Sequence, residues 1–233
     1  MSNFLTSSIG KKVIMSLSGL FLISFLCVHL SINLMLLAGD GGDLFNMGAH
    51  FMTNPIIKVI EPILGLGFVI HILWAFVLTI QNRKARPVRY AVSSQSGNAS
   101  WQSRNMFVLG GLILVFLAIH IMNFWVPIKI TGVEHTTVDG VEMHNAYALV
   151  SGLLTGNGNV VCGVLYCALY LSAAVLLGFH LAHGFWSAFQ SVGFSNNIWR
   201  DRLEKVAYAF AILIGGGFAI IPIYFLCQMF CGA

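Results

Sequence analysis

Phe179-His180-Leu181-Ala182-His183-Gly184-Phe185-Trp186 lies inside a stretch without a single charged residue, from Glu142 to Arg200. An apolar run of that length suits a membrane-crossing helix, which needs about 20 residues, and it carries histidine toward its far end. Three other apolar runs do the same, with His29, His71 and His120. An ionisable side chain inside a membrane helix is costly and usually serves a function. Four of them, one per helix, call for a common partner.

The composition agrees with a bilayer. Of 233 residues, 58% are hydrophobic and 9% charged, and the mean hydropathy is +0.84. Soluble domains carry about 25% charged residues. The expected fold is all-α, a single domain over 1–233 with no linker to a second one. Five spans are expected, at about 13–38, 56–81, 105–127, 160–188 and 206–230, because in lipid only helix satisfies the backbone within one segment. Lys11 and Lys12 precede the first run as in a signal peptide, but the run is too long and lacks a cleavage site.

The net charge of +4 bears on topology and not on nucleic acid. Ten of the twelve basic residues fall on one side: Lys11 and Lys12, then Arg83, Lys84, Arg86, Arg89 and Arg104, then Arg200, Arg202 and Lys205. Only Lys58 and Lys129 fall on the other. The positive-inside rule then sets the N-terminus in the cytoplasm and the C-terminus outside, in the periplasm. The small polar stretch Ser93–Ser103 reads as a flexible inner loop. The outer loops are about 39–55 and 128–159, and the apolar patch Ala146–Leu154 reads as a short interfacial helix. His135 and His144 read as solvated loop residues. The five cysteines form no CxxC pair and no CxxCH haem-attachment motif, and read as small buried hydrophobes.

Depth sorts the histidines. The first and third spans run outward, which sets His29 and His120 in the outer half. The second and fourth run inward, which sets His71 and His180 in the inner half. At 1.5 Å per residue the two layers should lie roughly 10–15 Å apart. Two haems, each held by two imidazoles, satisfy all four side chains and leave no open iron position for oxygen chemistry. His183 competes with His180, but residues three apart point about 60° apart and cannot share one iron. Gly184 follows His180 by one turn as Ala75 follows His71, leaving room for a flat macrocycle. That match favours His180, with His183 free to bond a haem propionate. The chain also echoes itself, since Gly19 and Gly110 each stand ten residues before a histidine.

No nucleotide loop and no iron–sulfur framework occurs, so electrons must pass to or from a cytoplasmic partner. The other natural carrier is a lipid-soluble quinone, whose protons need a titratable relay at the membrane edge. His50 and Glu61 are the candidates there.

Ser18-Gly19-Leu20-Phe21-Leu22 leading to His29, Phe45-Asn46 with Ala49-His50-Phe51-Met52, His71, His120, and Phe179-His180 with Gly184-Phe185-Trp186-Ser187 carry a resemblance over nearly the whole chain. The chain resembles the single-chain, five-helix, di-haem cytochrome b anchor of succinate dehydrogenase and quinol:fumarate reductase. The resemblance implies that His29 and His120 bind the haem distal to the partner subunits, and His71 and His180 the proximal one. It implies flavoprotein and iron–sulfur subunits on the cytoplasmic side, a quinone, commonly menaquinone, and the bacterial cytoplasmic membrane. It also implies a quinone-reactive subunit with no dicarboxylate chemistry of its own. Cytochrome b subunits of formate dehydrogenases or hydrogenases, and bc-type cytochromes, are the nearest alternatives. They pair histidines two to four turns apart on one helix, whereas here only His180 and His183 share one. A transporter or non-haem scaffold would need intramembrane charges or broken helices.

Overall fold

The computed structural model describes residues 7–85, 100–194 and 196–232. Among them are seven α-helices: α1 Ser8–Asn33, α2 Asp43–Phe51, α3 Pro55–Lys84, α4 Trp101–His120, α5 Ala146–Thr155, α6 Val160–Ser191 and α7 Asn197–Cys231. Five of them, α1, α3, α4, α6 and α7, are long and apolar enough to cross a membrane. The chain is therefore an all-α, multi-pass membrane protein, apart from one small hairpin.

Each spanning helix starts where a Ser or Asn side chain can bond an N–H of the first turn. Ser7 Oγ accepts from Gly10 N, Asn54 Oδ1 from Ile56 and Ile57 N, Ser100 Oγ from Ser103 N, Asn159 Oδ1 from Cys162 N, and Asn196 Oδ1 from Ile198 and Trp199 N. These caps move the boundaries outward from those expected from charge. The first span begins at Ser8 with Lys11 and Lys12 inside it, the third at Trp101, and the fifth at Asn197. Asp201, Arg202, Glu204 and Lys205 thus ride on the first turns of α7 and do not form a loop. The expected loop Ser93–Ser103 is corrected in its last three residues, which are helical. Its residues 93–99, with Arg86 and Arg89, lie outside the described residues.

The helices alternate in direction. Ser18 meets His71 while Phe21 meets Gly67, so α3 runs antiparallel to α1, and Met106 meets Gly184 while Gly110 meets His180, so α6 runs antiparallel to α4. α6 and α7 pack most closely, through small residues. A methyl group on Gly215 would stand 3.1 Å from the Ala174 carbonyl oxygen and 3.2 Å from Gly178 Cα. In lipid such close approach replaces the hydrophobic drive that joins helices in water.

At the end where α1 and α4 finish, which we call the far end, α4 continues as π-helix over Ile121–Trp125 and Pro127–Thr131. Pro127 has no N–H to give to an α-helical ladder, and the wider turns close on Gly132 N, which donates to Pro127 O. The cap over this end is built from α2, α5 and a β-hairpin, β1 His135–Val138 and β2 Val141–His144. The short helix expected over Ala146–Leu154 is present as α5. Its buried Ala146, Val150 and Leu154 pack with Leu36, Phe45, Ile221 and Phe225. Asn46 accepts from Tyr147 N at 2.8 Å and donates to Asn145 at 3.3 Å, which joins α2 to α5. α2 enters through Gly42, at φ 99°, where any side chain would collide with the Tyr147 ring. Asp40 accepts from Gly42 N and Leu44 N, and these bonds hold its carboxyl below the usual carboxylate range.

Candidate functional site: two facing imidazole pairs

Four helices bring their histidines together two by two. His29 on α1 faces His120 at the end of α4, with ring centroids 5.7 Å apart and ring planes at 89°. His71 on α3 faces His180 on α6, at 6.4 Å and 67°. Two imidazoles bound on opposite sides of one metal, through bonds of about 2 Å with each ring centre roughly an ångström beyond its nitrogen, have centres about 6 Å apart. Both pairs have that spacing. The crossed planes are compatible with it, since each plane need only contain the line through the metal.

The Ser18 hydroxyl lies 2.9 Å from Met15 O and 3.2 Å from His71 Nδ1. With its proton given to Met15 O, it accepts from an Nδ1–H tautomer of His71, the tautomer whose Nε2 carries the free lone pair a metal requires. Asn33 Nδ2 donates to His29 O at 2.8 Å and stands 3.4 Å from its Nδ1. Nδ1 of His120 and of His180 is buried without a hydrogen bond, as is Nδ1 of His183. An unpaired buried polar atom is unfavourable unless something in its surroundings compensates.

The two pairs differ in their walls. Phe25 stacks on His29, Phe218 leans on it, and Phe116, Phe124 and Tyr170 surround His120. The His71–His180 pair is flanked instead by glycines. A methyl group on Gly19 would stand 3.4 Å from His71 Cε1, and one on Gly110 would stand 3.6 Å from His180 Cε1. The ten-residue echo of the sequence therefore has a spatial meaning, because each glycine lies beside the histidine of the next spanning helix. Since Gly19 and Gly110 are ten residues before His29 and His120, the two pairs lie about 15 Å apart along the helices. A methyl group on Gly184, one turn beyond His180, would stand 3.5 Å from Met106 Cε.

His183 does not face His71. Its ring meets the edge of Trp186 at 5.3 Å, and Arg200 lies over that indole at 5.6 Å. Among the described residues no three His, Cys, Asp or Glu side chains form a metal-binding group.

The far end holds the two remaining candidates. Glu61 accepts from Trp125 Nε1 at 2.6 Å and pairs with Lys129 Nζ at 2.8 Å, binding α3 to the π-helical end of α4. His50, in the last turn of α2, lines a cleft of about 300 Å³ with Lys58, Lys129, His135, Glu142 and His144. His50 and Glu61 are thus on either side of Lys129 and do not line one cavity together. His135 and His144, which read from the sequence as solvated loop residues, share the cleft with Glu142, and His144 is half-buried. The signal for them is Asp139-Gly140 between alternating residues, a hairpin turn.

Comparison with protein-family models, curated proteins and solved structures finds no match.

Proposed function

We propose that this chain is the haem-bearing membrane anchor subunit of a succinate:quinone oxidoreductase. In this reading it passes electrons between cytoplasmic flavin and iron–sulfur subunits and a membrane quinone, menaquinone or another. The observation that carries it is the pair of facing imidazoles at each of two depths, both at the spacing of a metal bound on opposite sides.

His29 and His120 would hold one haem b, and His71 and His180 the other. His180 is preferred over His183 because its ring opposes His71, whereas the ring of His183 is turned to Trp186. A haem held between two imidazoles supplies reversible one-electron transfer and no open position for oxygen. The chain's own residues do the rest. Ser18 would accept from His71 Nδ1–H and leave Nε2 to ligate, and Gly19 and Gly110 leave space beside the inner pair. The aromatic side chains around His29 and His120 keep water from the outer pair. The ten-to-two distribution of basic residues supports a cytoplasmic N-terminus, which turns the far end and its cleft toward the periplasm of a bacterial inner membrane. His50 lies on that cleft and Glu61 beside it, the two groups available to relay quinone protons.

The test is reduction by substrate. Isolated through this chain from its native membrane, the complex should contain flavin and iron–sulfur subunits, and succinate should reduce its b-type absorption. Absence of those subunits, or haem that stays oxidised with succinate and is not reoxidised by fumarate after quinol, would reject the anchor assignment.

A further inference from the structure

We propose that the hairpin at the far end chelates a divalent transition-metal ion of the Zn²⁺ class between His135 and His144. The inference does not depend on the haem assignment. His135 and His144 are direct cross-strand partners in the β1–β2 register. Their rings are tilted at 39°, with centroids 4.8 Å apart. Two imidazoles on one tetrahedral ion, each ring centre about 3 Å from the metal, have centres about 5 Å apart. The spacing is shorter than in either intramembrane pair and fits neighbouring coordination positions rather than opposite ones.

The surroundings suit a cation with borderline-soft ligand preference. Glu142 lies two residues before His144 and so on the same face of the hairpin, and it lines the cleft together with His50. Two cations also line it, Lys58 and Lys129, of which Lys129 is paired with Glu61. Nδ1 of His144 is buried against protein, which leaves Nε2 as its ligating atom. Neither histidine has a hydrogen bond among the described residues that a metal would have to break. The turn at Asp139 and Gly140, with φ of 51° and 78°, fixes the register and holds the two rings opposite each other before any ion arrives. The open positions of the ion would be filled by water.

The probe is Zn²⁺ itself, titrated against a chromophoric chelator. The protein is the full chain, isolated in detergent through a tag free of histidine and cysteine. Each of His135→Ala and His144→Ala should weaken binding by about tenfold or more, because a chelate loses both arms' cooperation when one is removed. The double variant should bind at least as weakly as either single one. Thr137→Ala, on the same strand face, should leave the affinity unchanged. Binding by either single variant within about twofold of the unmodified protein, or a double variant that binds as tightly as the unmodified protein, would overturn the proposal. X-ray absorption at the zinc edge covers the case in which a substitution unfolds the hairpin. In the unmodified protein it should count two imidazoles on the bound ion, and fewer than two would overturn the proposal.

Discussion

Filling the space beside His180 tests whether the glycine walls matter. A methyl group at position 110 would lie 3.6 Å from His180 Cε1, an ordinary van der Waals contact, so Gly110→Ala should be accepted. Alanine also favours the helix over glycine by about 0.5–1 kcal/mol. Gly110→Leu pushes three further carbons past that methyl, toward the gap between His71 and His180. Overpacking of this kind costs about 1–3 kcal/mol, which corresponds to a loss of affinity of about 5- to 150-fold for whatever that pair binds. The outer pair is about 15 Å away, beyond the range at which substitutions usually couple. The assay is the haem-to-protein ratio of the purified variants. Gly110→Ala should keep two haems, while Gly110→Leu should keep the outer one and lose the inner. Gly216→Leu is the control for a bulky residue in a spanning helix, since nothing lies within 4 Å of a methyl group there. Retention of both haems by Gly110→Leu, or loss of the outer one alone, would refute the reasoning.

Two further expectations concern stability. The Glu61–Lys129 pair is roughly one-third exposed on each side, so a double-mutant cycle with Glu61→Gln and Lys129→Met should give a coupling of about 0–1 kcal/mol in thermal unfolding. Glu61→Leu, which also removes the acceptor of Trp125, should cost more, about 1–3 kcal/mol. A coupling well above that of exposed pairs would mean that the site is drier than its exposure implies. Gly215→Leu should separate α6 from α7 and destabilise the bundle by about 1–3 kcal/mol, read as a lower unfolding temperature. An unchanged temperature would mean that the Ala174–Gly178–Gly215 contact contributes little.

The sequence revealed the spans and the grouping of the histidines more readily than the helix ends. Hydropathy located all five long helices, and counting residues to each histidine from its helix start was enough to sort the imidazoles into two layers. Charge places the starts of the first, third and fifth spans after Lys12, Arg104 and Lys205, whereas those helices start after Ser7, Ser100 and Asn196, whose side chains take up free N–H groups. Charged residues at a membrane surface do not stop a helix, so α7 continues through Arg200, Arg202 and Lys205. The contact of Gly19 with His71 and of Gly110 with His180 depends on how neighbouring helices pack, and no pattern within one helix carries it. The same holds for Glu61, whose partners Trp125 and Lys129 lie over 60 residues along the chain. The hairpin was legible in Asp139-Gly140 and its alternating flanks, but it was passed over in an otherwise helical chain.

The measurement that bears most directly on the central claim is the pyridine haemochrome ratio of haem b to chain, taken on the unmodified protein and on His29→Ala, His71→Ala, His120→Ala and His180→Ala. The two facing pairs predict two haems per chain in the unmodified protein and one in each variant. His29→Ala and His120→Ala should share one residual spectrum, and His71→Ala and His180→Ala the other. One haem or none in the unmodified protein, or two retained in His180→Ala, would contradict it.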